Sequence, residues 1–320
     1  LAMAAVARWD VTWEECEARA GFITHGKRRA SFADLVGEAM AFDPPSPPVL
    51  RPLAAAERAV DQPAGVRPAF PRLDLPAKVD GSYAFAGDIR LPGMVFAAIR
   101  HAPQGEARLG THAAENAAPV SGLLRLVEGP DWLAAVAHDW WSAERALTLI
   151  APNFAAQQKP DSAVIDRLLG EALRSGDGSE IAASGDGDLL HAPFDHARLY
   201  RIAPALHAPL ETASATARVS VDRVELWVAS QAPQATRKAV AKALDRPLEE
   251  VVLYPVGAGG SFDARLDMPH AVEAAIIARE VGKPVQLTWS RWQEHLAALP
   301  RTPAAAVLWA KLAEPGGHIL

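Results

Sequence analysis

The stretch Val251 to Asp267, V-V-L-Y-P-V-G-A-G-G-S-F-D-A-R-L-D, constrains the fold of this chain more than any other. An apolar run from Val251 to Val256 stops at Gly257, Ala258, Gly259, Gly260 and Ser261. One aromatic, Phe262, and a polar cluster of Asp263, Arg265 and Asp267 follow. A buried strand that runs into small residues brings main chain close to another group, because glycine has no Cβ to hold a neighbour away. The rest of the chain must supply a sheet that buries this strand and a partner for the loop.

There is enough chain for that. At 320 residues, half of them hydrophobic, it can build two domains or one large one. The net charge of −6 argues against a nucleic-acid surface, which needs a basic stripe. A single cysteine, Cys16, excludes an internal disulfide and a cysteine-ligated metal or iron–sulfur centre. No apolar run is long enough to span a bilayer. Leu1 to Trp9 is helix-like with no basic segment before it, so it does not read as a signal peptide. It reads as a chain already under way, and Gly316 to Leu320 reads as an equally abrupt stop.

In order, residues 1–41 read as the end of a larger domain. Leu1 to Arg8 predicts a helix, and Asp10 to Cys16 a turn into a short helical stretch capped by Thr12, with Glu14 and Glu15 in its first turn. Gly21 to Arg29 predicts a hairpin pivoting at His25-Gly26, and Ser31 caps the helix after it. Residues 42–76 contain Pro44, Pro45, Pro47, Pro48, Pro52, Pro63, Pro68, Pro71 and Pro76, and read as an extended connector at a domain boundary. Residues 77–155 predict a small α+β domain. Its strands cover Tyr83 to Arg90, Met94 to Arg100, Leu123 to Val127 and a buried Leu133 to Ala137, and a helix follows from Asp139 with Ala146, Leu147 and Ile150 on one face. Residues 156–196 predict an amphipathic helix, Asp161 to Arg174, and an exposed linker, Ser175 to Asp188, whose Gly-Asp spacing fits no calcium loop. Residues 197–320 predict strands at Leu199 to Ala203, Thr216 to Val221, Val224 to Ala229 and Val251 to Val256, then a final buried strand at Val285 to Trp289. Helices over Ala232 to Leu244 and Met268 to Val281 pack on that sheet.

The order of motifs resembles the molybdenum-cofactor-binding subunit of the xanthine dehydrogenase and aldehyde oxidase family, and within it the isoquinoline 1-oxidoreductase β-subunit branch. Arg72 to Gly81 followed by Phe85 to Met94 resembles the entry to that family's hammerhead domain. His207-Ala208-Pro209-Leu210-Glu211 with Ala215 to Val219 resembles its H-x-x-[ML]-E…A-T-A-R-V segment, and Ser230-Gln231-Ala232-Pro233 its T-Q-x-P turn. Gly259-Gly260-Ser261-Phe262-Asp263-Ala264-Arg265 falls where the family has G-G-G-F-G-R-R, and Val285 to Arg291 resembles its P-V-x-L-x-W-[ST]-R strand. The resemblance implies an α+β fold, a hammerhead-like α/β domain followed by a molybdopterin-binding domain with helices on a mixed sheet. It also implies a molybdopterin, in the cytosine dinucleotide form, carrying molybdenum, and a [2Fe–2S] cluster on a partner subunit. The implied substrate is a small aldehyde or N-heterocycle, and a second cofactor-binding half and the family's catalytic glutamate lie outside this chain. No residue here is therefore assigned a catalytic role.

The residues implied to meet the cofactor are Gly259, Gly260, Ser261, Phe262, Asp263, Arg265, Gln231 and His207. Small residues let backbone amides approach an anionic group, and the resemblance places Phe262 beside the metal. The plainer alternative is a glycine turn with Phe262 in the core. Ser261, Asp263 and Ala264 depart from the family pattern, and the Asp263 carboxylate opposes cofactor phosphates by about 1 kcal/mol. That departure leaves a second reading open, a cofactor-free scaffold descended from the family. The Gln231 amide suits a pterin edge or an exposed cap equally. Arg265 and Arg291 suit anion pairing or surface ion pairs. His207 and Glu211, four apart, suit a metal-ligand or acid–base pair or a structural role; the segment reads as extended with Pro209 between them, and the resemblance implies that it lines the cofactor cavity without ligating molybdenum. His138, His191, His196 and His270 show no ligand spacing, and Trp132, Trp140 and Trp141 read as core.

Overall fold

The computed structural model describes residues 1–43, 72–103, 107–156, 161–185 and 193–312. It divides into two compact units, Leu1–Arg72 and Leu73–Leu320. In the first, helix α1 (Ala2–Trp9) is followed by a short 3-10 turn, Trp13–Glu15, where the Glu15 carboxylate accepts the Thr12 N–H at 2.9 Å and the Thr12 hydroxyl at 3.2 Å. A three-stranded antiparallel sheet comes next, β1 (Glu17–Arg19), β2 (Phe22–His25) and β3 (Arg28–Ser31). Helix α2 (Phe32–Ala39) starts at Ser31, whose hydroxyl accepts the Asp34 N–H while Asp34 accepts the Ser31 N–H. Ala4, Ala5, Ile23 and Leu35 form the small core.

Most of the expected connector, residues 44–71, lies outside the described residues, as do 186–188 of the expected linker, His191 and Gly316 to Leu320. One correction falls at the connector's end. Leu75 and Pro76 are not extended but open helix α3 (Leu75–Asp80), because a proline in the first turn lacks an N–H that would have no intrahelical partner anyway.

The second unit is built on a seven-stranded mixed sheet. Its strands, in chain order, are β4 (Val95–His101), β6 (Leu123–Glu128), β7 (Trp132–Ala137), β10 (Ser214–Val219), β11 (Val224–Val228), β12 (Val251–Pro255) and β13 (Val285–Thr288). In space the order is β12-β11-β10-β13-β4-β7-β6, with β11–β12 and β13–β4 parallel. Strands expected in 77–155 and strands expected in 197–320 thus share one sheet. Both faces are covered. Helix α4 (Trp140–Ile150), capped by Asp139, packs Ala143, Ala146, Leu147 and Ile150 on Leu133, Ala135 and Ala137. Helices α6 (Pro233–Leu244) and α7 (Pro269–Val281) cover the other face over Trp132, Ala134, Val136, Ala215, Ala217 and Leu287. The alternation along β7 is the period of two of a strand buried on both sides.

Tyr83 to Arg90, expected as a strand, is irregular with one 3-10 turn at Ala86–Asp88. Asp88 accepts the Phe85 N–H at 3.0 Å, and the buried Gln286 amide donates to the carbonyls of Ala86 (3.3 Å) and Ile89 (3.1 Å). These side chains meet the backbone's hydrogen-bonding needs locally, which removes the need for a ladder. Nor is Val285–Thr288 the final strand. Helix α8 (Arg291–Ala297) and strand β14 (Ala304–Ala310) follow it, and β14 pairs with β9 (His196–Ile202) in a separate two-stranded ribbon. On one face of this ribbon lie the cross-strand pairs Ile202–Ala304 and Tyr200–Ala306, with Leu308 beside them, and Ile202 and Leu308 are 63% and 60% exposed. Helix α5 (Ser162–Ser175) also has no buried residue. Among the described residues, β5 (Ala107–Leu109) and β8 (Phe154–Ala156) complete the strands.

Leu287, fully buried on the middle strand, tests this core. Leu287→Ala is expected to cost about 3 kcal/mol in urea denaturation with an unchanged m-value.

Candidate functional site

Parallel neighbours end on the same side of a sheet. Strand β11 leads through Ser230 and Gln231 into α6, and β12 leads through Gly257 to Phe262 toward α7. The two turns are therefore brought together at the carboxyl ends of the strands, where open α/β sheets hold ligands. Gln231 is the contact between them. Its N–H donates to the Arg265 carbonyl at 2.9 Å, and its Oε1 accepts the Arg265 N–H at 3.3 Å and the Ser261 hydroxyl. Its Nε2 donates to Asp263 Oδ1 at 3.3 Å. The amide expected at a pterin edge or an exposed cap thus holds the loop itself.

The glycines answer different needs. A Cβ on Gly257 would lie 2.0 Å from the Tyr83 ring, and one on Gly259 2.6 Å from Glu211 Cβ. Both are close approaches of protein to protein. At Gly260 the need is conformational, with φ at +102°. Phe262 and Asp263 adopt positive φ as well, 52° and 74°, although neither is glycine. Ser261, between Gly260 and Phe262, does not share the positive φ, and such a change of backbone hand between successive residues is the arrangement of an anion-binding nest. Among the described residues, the N–H groups of Gly260, Ser261, Phe262 and Asp263 have no hydrogen-bond partner. Phe262 is 59% exposed, which rules out the core placement weighed for it.

Arg265 turns away from these amides. It is buried, and Nη2 donates to the carbonyls of Glu211 (2.9 Å) and Thr212 (3.4 Å), while Nε has no partner. Burial lowers its pKa, against the opposing fields of Glu211 and Glu294. Arg291 donates to the Leu210 carbonyl at 2.8 Å and pairs with Glu294, whose pKa is raised by burial. Among the described residues, His207 makes no hydrogen bond to the loop amides but shares a cleft with the loop's end. It lines this cleft of about 860 Å³ with Asp263, Ala264 and Arg265. The cleft's floor holds residues that sequence reasoning had given no role: His101 bonds Glu273 at 2.8 Å, Glu273 accepts the Trp289 indole N–H at 2.9 Å, and His270 lies edge-on to the same indole. Burial, with help from Arg265 and His101, lowers the His270 pKa to about 3. No group of three or more metal-ligating side chains occurs among the described residues. The sequence singled out Glu211 beside His207 but not its contacts, since its partners Gly87 and Gly259 lie 124 and 48 residues away and leave no local pattern.

Residues 176–312 match the family description "molybdopterin cofactor-binding domain". Over 91% of its length the chain is 25% identical to the isoquinoline 1-oxidoreductase subunit beta of Brevundimonas diminuta, covering 42% of that protein. Over 88% it is 24% identical to a membrane-bound aldehyde dehydrogenase [pyrroloquinoline-quinone] of Gluconacetobacter polyoxogenes, covering 38% of it. The chain thus spans about two fifths of the length of these relatives. The aldehyde oxidoreductase of Desulfovibrio gigas shares the fold over 75% of this chain and 32% of its own, with a TM-score of 0.59 at 17% identity. Quinoline 2-oxidoreductase from Pseudomonas putida 86 does so over 72% and 35%, with a TM-score of 0.55 at 18% identity. The resemblance stated from the motifs and the expected α+β class with a mixed sheet are both borne out.

Two predictions follow from this geometry. Gly257→Ala is expected to destabilise the chain by about 2 kcal/mol, and by much less when Tyr83 is also replaced by alanine, in a double-mutant cycle read by denaturation. His270 is depressed from 6.5 to about 3 in the folded state, so its contribution is fully present above pH 6.5 and declines as pH falls toward 3. Between pH 6 and 4 the wild type is expected to lose about 1 kcal/mol per pH unit more than His270→Gln.

Proposed function

We propose that this chain forms one wall of a molybdopterin site in the large subunit of a molybdenum hydroxylase. The complete enzyme would oxidise an aldehyde or an N-heterocycle with oxygen taken from water and pass electrons to a [2Fe–2S] partner subunit. One observation carries the reading: the four consecutive unpartnered amides of Gly260 to Asp263, at the carboxyl end of β12. They suit the anionic part of a molybdopterin, taken here as the cytosine dinucleotide, and when bound the cofactor supplies the redox chemistry. What the chain contributes is binding and orientation. The nest holds an anionic group, the exposed Phe262 ring offers an apolar flank to the metal or substrate, and Gln231 keeps the loop in register. His207 lines the adjoining cleft.

The names of the relatives support the substrate classes. Ile202, Tyr200 and Leu308, exposed on one face of the β9–β14 ribbon among the described residues with Arg198 opposite Leu308, support a further polypeptide, the other cofactor-binding half of the subunit, as partner. No helix among the described residues is long and apolar enough to cross a membrane.

Asp263 favours the second reading, a cofactor-free scaffold, because its carboxylate sits within the nest sequence and engages Gln231. Metal and pterin analysis of the chain purified with its partner chains separates the two. About one molybdenum per complex is expected, and a complex free of metal and pterin sinks the proposal. Asp263→Gly is expected to raise cofactor retention about fivefold, the equivalent of about 1 kcal/mol of relieved repulsion.

A further inference from the structure

We infer that Glu211 is the positioning residue of the nest: its carboxylate holds the loop's entrance, its main-chain carbonyl receives the loop's exit, and the middle amides are left open. At the loop's entrance, Glu211 Oε2 accepts the Gly259 N–H at 2.8 Å, and the Glu211 N–H donates back to the Gly259 carbonyl at 3.0 Å. At the exit, the Arg265 guanidinium donates to the Glu211 carbonyl at 2.9 Å. The residues between these two attachments include the four with free amides. The second carboxylate oxygen reaches the Gly87 N–H at 3.4 Å, which ties the loop to the turn before β4. The segment carrying Glu211 is itself held, since Arg291 donates to the Leu210 carbonyl at 2.8 Å.

Two features make this more than a surface contact. Gly259 has no room for a side chain because Glu211 Cβ would be 2.6 Å from it, so the pair is fitted shape to shape. The carboxylate also takes the amide just before the nest, which fixes where the run of free amides begins. A charged acceptor on a backbone N–H is roughly twice as strong as a neutral one. The negative charge is spent on Gly259 and Gly87 and faces the buried Arg265 cation, whose pKa it helps to hold up. Glu211 therefore acts through Gly259 and has no contact with a ligand of its own in this account. The consequence for the cofactor rests on the molybdopterin reading; the stapling of the loop does not.

Amide hydrogen exchange separates the two. In Glu211→Ala, exchange at Gly259 is expected to rise about tenfold or more while the β10 amides of Ala215 to Ala217 keep their protection. Glu211→Gln keeps one acceptor oxygen and is expected to stay within about threefold of wild type at Gly259. Unchanged exchange at Gly259 in the alanine variant overturns the inference. So does an equal rise in β10, which would make Glu211 a general stabiliser. If the alanine variant does not fold, exchange at Gly259 and Gly87 in Glu211→Gln decides. A Gly87 rise with Gly259 retained supports the staple, and no change at either site overturns it. Molybdenum content of the same variants is the second readout: retention in Gln and loss in Ala supports a positioning role, and equal retention in both overturns it. A wild type without molybdenum defeats the molybdopterin reading and leaves the exchange result standing.

Discussion

Four residues, Val285–Thr288, hold the second unit together. Among the described residues, strand β13 is the link in the sheet between β4, β7 and β6 on one side and β10, β11 and β12 on the other, antiparallel to β10 and parallel to β4. Its apolar residues, Val285 and Leu287, are fully buried under α7. Of its two polar residues, Gln286 faces the other way and bonds Thr216 and the carbonyls of Ala86 and Ile89. A buried amide is tolerated only when its donors and acceptors are met, and here meeting them shapes the turn before β4. That turn then presents Gly87 to Glu211, so the central strand reaches the candidate site through two hydrogen-bonded steps.

Alanine makes this architecture compact. Ala97, Ala134, Ala215, Ala217, Ala271, Ala274, Ala275 and Ala278 meet between sheet and α7 with no exposed surface. Small side chains on both surfaces let the helix lie close, and larger residues such as Leu226 and Trp289 fill the remaining volume. A close-packed sheet is a rigid base. From it the loop after β12 adopts positive φ at Phe262 and Asp263, a conformation costly for residues with a Cβ that persists only where the surroundings impose it. Gln231 on one side and Glu211 on the other impose it.

Much of the fold was legible. Val251 to Val256 reads as a strand because its apolar run ends in glycines, and α7 reads as a helix because an apolar period stops at Gly282, whose φ is 67°. Ser31 and Asp139 cap the helices they precede. The errors fall where distant side chains override local preference. Tyr83 to Arg90 has strand composition, yet Gln286, some 200 residues away, satisfies its carbonyls. Strand β14 is alanine-rich and carries no strand signature of its own; its partner β9 supplies the ladder.

By itself the sequence determined that a buried strand must run into a close-approach loop, and the order of its motifs pointed to a molybdopterin-binding domain. It also placed Gln231, Gly259, Gly260, Phe262 and Asp263 in one candidate site. Only the tertiary structure decided what each does there, because hydrogen bonds between residues far apart in the chain leave no periodicity to read. Gly257 and Gly259 are glycines for the sake of Tyr83 and Glu211, whereas Gly260 answers to its backbone angle. Arg265 is committed to carbonyls, and among the described residues the consecutive amides of Gly260 to Asp263 have no partner.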